Sequence, residues 1–253
     1  MQDFRGLNRE LWHQRYTAQA HWTQHIRQYI LKKTSPAVGE RILEVGSGTG
    51  AVLNALSHEG DFRFSGVDLD HPSLTYALSL YPTFDLTQAD GHHMPFAQDN
   101  FGLSFCHYLL MWVKSPQQIL REMGRVTRPG GWVIALAEPD HQARIDYPPP
   151  LDVLGARQTQ ALQDQGIDVH IGRKLRSLFH QTGLVEIEVG ILSAQWDDLP
   201  AGEATEWLMI QADLEGQLTP AELSDFKYVD RQAQQTGQRI LFIPTFYALG
   251  KVP

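Results

Sequence analysis

A chain of 253 residues, 42% of them hydrophobic, is long enough to bury one large core, or a core with a small cap. Its formal charge of −8, with no run of Lys and Arg, argues against a nucleic-acid partner. Cys106 is the only cysteine, excluding an intramolecular disulfide and a cysteine-built zinc cluster, and a polar Met1–Glu10 with no bilayer-length apolar stretch makes a soluble, cytoplasmic protein the expectation.

In chain order, an amphipathic helical region is expected from Arg9 to Lys33, carrying Trp12, Tyr16, Trp22 and Tyr29 and stopped by Thr34-Ser35-Pro36. Strands are expected near 41–45, 62–67, 84–89, 101–106, 131–137, 184–190 and 239–249, with helical stretches between most of them. That alternation predicts an α/β fold with a parallel, doubly wound sheet. Ser115-Pro116-Gln117-Gln118 reads as an N-cap serine, a proline at the first helical position and a capping-box glutamine. Ile119, Leu120, Met123 and Val126 then share one helix face. Thr219-Pro220-Ala221-Glu222 carries the same cap logic. Two regions stand outside the alternation: a polar loop from Glu138 to Pro150, and a helical insertion at about 199–237. The expected organisation is a helical cap over residues 1–36 and one α/β domain over 37–253 that contains the insertion as a lid.

The chemistry concentrates in Arg41-Ile42-Leu43-Glu44-Val45-Gly46-Ser47-Gly48-Thr49-Gly50. A strand, a glycine turn and a helix start bring backbone N–H groups and a positive helix end against a ligand. The spacing is G-x-G-x-G, not the G-x-G-x-x-G expected for NAD. A second strand ends in Gly66-Val67-Asp68-Leu69-Asp70, where a carboxylate can accept both hydroxyls of a ribose. A third ends at Gln88-Ala89-Asp90-Gly91-His92, where another carboxylate can take an adenine amino group.

These blocks, followed by Met94-Pro95-Phe96, Asn100-Phe101 and Arg125-Val126-Thr127-Arg128-Pro129-Gly130-Gly131, resemble the class I S-adenosylmethionine-dependent methyltransferases, with the motif set of the ubiquinone/menaquinone type. The resemblance covers roughly residues 40–137 and implies a Rossmann-like seven-stranded sheet with helices on both faces. Its last strand, here Arg239 to Leu249, would insert antiparallel. It also implies S-adenosylmethionine as cofactor. Glu44 and the turn Gly46, Ser47, Gly48 and Gly50 would hold the methionine end. Asp68 would take the ribose and Leu69 would pack on the adenine. Asp90 and Gly91, with His92 beside them, would face the base, and Cys106 and His107 the methionine group. Tyr16 and Gln19 resemble the capping helix that reaches the cofactor's carboxylate. Gly102 stands where such chains usually carry an acid. The Asn/Asp-Pro-Pro-aromatic signature of amino-directed nucleic-acid methylases is absent, Cys106-His107-Tyr108-Leu109 standing in its place.

On the acceptor side, His107 is a candidate general base or orienting group, or else a histidine that only shapes the cofactor pocket. Asp140 or His141, past the fifth strand, could serve as base, or could belong to a polar surface loop. A metal site built on these residues and Asp146 matches no ligand spacing, and His92-His93 reads as a solvated loop, so no metal is expected. Trp196, Trp207, Met209, Phe226, Tyr228, Phe246 and Tyr247 suggest either a lid over an apolar acceptor or ordinary packing. The expectation is methyl transfer to oxygen, nitrogen or carbon of a small-molecule acceptor, with oligomeric state open. The alternatives are an NAD-dependent oxidoreductase with a variant glycine turn and a non-catalytic S-adenosylmethionine-binding protein.

Overall fold

A computed structural model of the chain describes residues 9–192 and 202–253. The N-terminal helical region is two helices, α1 (Arg9–Trp22) and α2 (Gln24–Thr34). The break falls at Thr23, whose hydroxyl donates back to the carbonyls of Gln19 and Ala20 and competes with the helical ladder. Next come β1 (Arg41–Val45), α3 (Ala51–Ser57), β2 (Arg63–Asp68), α4 (His71–Leu80) and β3 (Asp85–Gln88). They are followed by β4 (Phe101–Cys106), α5 (Pro116–Val126) and β5 (Thr127–Pro139). After a 3-10 turn at His141–Ala143 come β6 (Ile145–Tyr147), α6 (Leu151–Asp164), α7 (Ile171–Gln181) and β7 (Val185–Leu192). The described chain closes with α8 (Gly202–Asp213), α9 (Pro220–Gln235), β8 (Ile240–Phe242) and β9 (Thr245–Lys251).

Seven strands form one sheet in the order β3-β2-β1-β4-β5-β9-β7. The pairs among β1 to β5 are parallel, whereas β9 runs antiparallel to both β5 and β7. The strand order reverses between β1 and β4, which opens a crevice at the carboxyl ends of those strands. Side chains alternate across the sheet, so Ile42, Ile134 and Leu136 join the core under α1, α2 and α3. Leu43, Val133 and Ala135 join the opposite core, under α5 and α7. β4 is buried along its whole length, as a central parallel strand covered on both faces must be.

The last strand departs from the expected single run of Arg239 to Leu249. It divides at Ile243-Pro244 into β8 and β9, because Pro244 has no N–H to donate to a ladder. β8 pairs instead with β6 in a separate two-stranded sheet. The expected loop from Glu138 to Pro150 therefore contains the end of β5, the short turn and β6.

The insertion packs around its own core, formed by Leu151 and Leu154 of α6, Trp207, Ile210 and Leu214 of α8, and Phe226 of α9. That compact unit draws on α6 as well as on α8 and α9 of the expected insertion; Trp196 and residues 193–201 lie outside the described residues. Beneath it, Asp230 accepts from Arg239 Nε at 2.5 Å and from Trp207 Nε1 at 3.0 Å. Asp146 accepts from Arg144 and Arg239. At Thr219 both halves of the capping box form, with Glu222 N–H on the threonine hydroxyl and Thr219 N–H on the Glu222 carboxylate. The equivalent box at Ser115 does not form: its side chain makes no cap bond, and Gln118 donates to the His92 carbonyl instead. Among the described residues, no helix is long and apolar enough to cross a membrane.

Candidate functional site

β1 delivers the chain into a turn in which Gly46, Gly48 and Gly50 have φ of +78°, +49° and +74°. An L side chain in that region costs roughly 1–2 kcal/mol. At Gly46 a Cβ would also stand 2.8 Å from Leu109 Cδ1, so the leucine end would have to shift. The turn is fastened to the tip of β2. Gly46 and Ser47 donate to the Val67 carbonyl at 2.8 and 3.1 Å, and Gly48 donates to Asp68 Oδ2 at 2.8 Å.

Two polar atoms under this turn, Glu44 Oε2 and Ser47 Oγ, are buried without a hydrogen-bond partner. Burial, and then the neighbouring Asp68 charge, hold the Glu44 carboxyl well above the usual carboxylate range. An orphaned buried acceptor of this kind is what a ligand donor or cation would satisfy.

Asp68 closes β2, and its Oδ1 accepts from Asp70 N–H at 2.9 Å. Burial raises its pKa, opposed by the Asp70 and Gly48 N–H bonds. Beside it Leu69 is 46% exposed, an apolar side chain left open at a strand tip. At the third tip Asp90 Oδ1 accepts from the His92 N–H at 2.9 Å and pairs with His92 Nδ1 at 2.7 Å, which pulls the Asp90 carboxyl down. Gly91 is compact by necessity, because a Cβ there would lie 2.8 Å from Val45. Glu44, Asp68 and Asp90 thus stand at the carboxyl ends of three adjacent strands. His92 is tied to Asp90, and His93 meets Gln118 at 3.1 Å, so the two histidines are engaged separately.

Helix α1 covers the turn. Tyr16 Cε2 lies 3.5 Å from where a Cβ on Gly48 would be, and burial and the Asp68 and Asp70 charges push its phenol pKa up. His13 Nδ1 meets Thr49 Oγ1 at 2.9 Å, a contact with the turn that the motif blocks did not reveal. Gln19 lies one helical turn from Tyr16, and its carbonyl accepts the Thr23 N–H and hydroxyl. Arg15 pairs with Glu206 of α8 at 3.0 Å, joining cap to insertion.

At the β4 end, Cys106 is fully buried, and its thiol is held far above the usual range by burial and the Glu138 charge. His107 meets Thr23 Oγ1 at 3.3 Å, and burial, followed by Arg27, brings its pKa down to about 3. It is neutral at physiological pH and a weak base. Asp140 is 1% exposed and held by a two-pronged Arg173 contact, with Nη2 at 2.8 Å. A carboxylate so paired is a hydrogen-bonded anchor for the guanidinium. His141 keeps a buried Nδ1 without a partner, and burial, then Arg144, lower its pKa to about 4. Asp146 is paired with Arg144 and Arg239. Beside Asp140 and His141, Glu138 Oε1 accepts the N–H groups of Leu109 and Leu110, both at 3.0 Å. A lone Glu at a strand end carries no sequence signal for that role.

Residues 43–135 match the family model described as a methyltransferase domain. The chain is 34% identical over 118 residues to the phosphatidylethanolamine N-methyltransferase of Cereibacter sphaeroides, covering 44% of this chain and 56% of that one. It is 29% identical to the demethylmenaquinone methyltransferase of Paenarthrobacter aurescens (strain TC1), covering 47% of this chain and 46% of that one. The chain therefore spans about half the length of these curated relatives. The phosphoethanolamine N-methyltransferase 2 of Haemonchus contortus, solved with S-adenosyl-L-methionine, superposes with a TM-score of 0.60 at 16% identity, over 89% of this chain and 51% of that one. That likeness is one of fold.

Proposed function

We propose that this chain, whose residues 43–135 match a methyltransferase domain, is a class I S-adenosylmethionine-dependent methyltransferase that transfers a methyl group from that cofactor to a small-molecule acceptor. The observation that carries the reading is the joint at the tips of β1 and β2. There the positive-φ glycine turn is bonded to Asp68, above the orphaned Glu44 Oε2 and Ser47 Oγ. When bound, the cofactor supplies a methyl group on a sulfonium whose leaving group is a neutral thioether. The protein's work is then to orient the two reactants and exclude water.

In this reading Glu44 and the turn Gly46, Ser47, Gly48 and Gly50 receive the methionine end, with Cys106 and His107 lining its far side. Asp68 binds the ribose and Leu69 packs on the adenine. Asp90, Gly91 and His92 border the base, and Tyr16 and Gln19 close over the turn. Of the three acceptor-side candidates we carry His141 forward. Burial keeps it neutral at pH 7, and its Nδ1 is free to hydrogen-bond an acceptor. His107 joins the β4 end to the cap through Thr23, and Asp140 fixes the turn before β6 through Arg173. The cap helices α1 and α2 and the insertion helices α8 and α9 would enclose the acceptor between them. A charge of −8 supports a small molecule over a nucleic acid, and the single buried thiol suits a cytoplasmic setting.

Calorimetric titration of S-adenosylhomocysteine, with NAD in parallel, tests the reading. Micromolar-range binding of the former alone is expected, whereas binding of NAD alone would replace the reading with an oxidoreductase. His141→Ala should lower turnover on an acceptor found by screening and leave cofactor affinity intact. Methyl transfer that never appears, despite cofactor binding and a broad acceptor screen, would favour a non-catalytic binding protein.

A further inference from the structure

We propose, resting on the methyltransferase reading above, that Glu138 is a positioning residue for methyl transfer. Its Oε1 fastens the loop after β4 by accepting the Leu109 and Leu110 N–H groups, and that loop forms the wall between cofactor and acceptor.

Glu138 is fully buried at the carboxyl end of β5. One carboxylate oxygen takes two consecutive backbone N–H groups at 3.0 Å each, with the Met111 N–H also directed at the carboxylate and the Cys106 thiol at 3.9 Å. The loop it ties down is not relaxed. Tyr108 sits at φ +49°, a left-handed conformation that an aromatic residue adopts only when its surroundings over-determine it. The Tyr108 N–H is spent on the Ala137 carbonyl at 2.9 Å, and its phenol reaches Thr245 of β9. The next residue, Leu109, fills the space over Gly46, where a Cβ would stand 2.8 Å from Leu109 Cδ1. One side chain on β5 therefore sets where the β4 loop meets the glycine turn. The arrangement is expensive, because Glu138 Oε2 is buried without a partner. An apolar residue would fill the same volume without that cost. What the carboxylate supplies, and an apolar residue would not, is a fixed loop geometry.

The test pairs Glu138→Met, which keeps the bulk and loses the acceptor, with Glu138→Gln, which keeps an acceptor oxygen. Hydrogen exchange is read across residues 107–111, and S-adenosylhomocysteine affinity is read by calorimetry. In Glu138→Met, exchange at Leu109 and Leu110 should rise at least about tenfold while the sheet strands stay protected, and affinity should fall by about tenfold. Glu138→Gln should stay within about threefold of the wild type in both. Should Glu138→Met fail to fold, Glu138→Asp replaces it, because a carboxylate one methylene shorter cannot reach both N–H groups and predicts the same localised rise. Exchange unchanged from the wild type would overturn the proposal. So would a localised rise that leaves affinity at the wild-type level. A wild-type protein that binds no S-adenosylhomocysteine would remove the methyltransferase reading instead, and the exchange comparison would still decide whether Glu138 fastens the loop.

Discussion

Burying Glu138 has a consequence for stability whose sign and size can be worked out. Burial raises its pKa from 4.5 to about 7, against the pull of the Leu110, Leu109 and Met111 N–H groups. A carboxyl raised in the folded state binds its proton more tightly there than in the unfolded chain. It carries no penalty below about pH 4.5 and destabilises the fold increasingly as pH rises towards 7. The gap between 4.5 and about 7 corresponds to roughly 3 kcal/mol of destabilisation once the group is fully ionised. Glutamine has nearly the same shape and cannot ionise. The stability of Glu138→Gln relative to the wild type should therefore climb by roughly 2.5 kcal/mol between pH 5 and pH 8, and level off above. Urea unfolding of both proteins at pH 5, 6, 7 and 8, compared at equal m values, reads this difference. Taking the difference matters, because Glu44, His107 and His141 also have shifted pKa values and titrate in both proteins alike. A gap that stays constant from pH 5 to pH 8 would refute the reasoning, whatever its absolute size.

Three further outcomes are expected. Asp68→Ala should weaken S-adenosylhomocysteine binding by roughly 1–3 kcal/mol in a folded protein, and unchanged affinity in calorimetry would remove the ribose assignment. Gly46→Ala should lower stability by at least roughly 1–2 kcal/mol, since its φ of +78° is strained for alanine and the new Cβ meets Leu109; an unaltered urea midpoint would contradict that geometry. Asp230→Ala leaves Trp207 Nε1 without its acceptor beneath α8 and α9, while Arg239 keeps its Asp146 pairing, and should cost roughly 1–3 kcal/mol in chemical denaturation; an unchanged urea midpoint would contradict that contact.

The strands β1 to β5 and the glycine turn were legible in the sequence because both are local. Arg41–Val45 followed by Gly46, Gly48 and Gly50 announces a strand, a turn that tolerates positive φ and a helix start within a few residues. Asp68 and Asp90 then fall at strand tips by the alternation of strand and helix alone. The cap of α9 was legible for the same reason, since Thr219 and Glu222 satisfy each other over one turn. Where a residue's partner lies far along the chain, local pattern could not decide. Gln118 was free in principle to cap α5 and was drawn instead to the loop at His92. Asp140 could be a base or part of a polar loop, and His107 a base or a pocket-shaping histidine; spacing did not show that Arg173 of α7 pairs with the first or that Thr23 meets the second, whose ring is buried. The site's polar chemistry depends on desolvation and on partners 26 to 84 residues away, such as Gln118 with His92 and Thr23 with His107. Neither exists until the chain has folded, so spacing determined the strand–glycine-turn–helix unit and the acids at the strand tips, while only tertiary packing decided which side chains beside them keep an unpartnered polar atom.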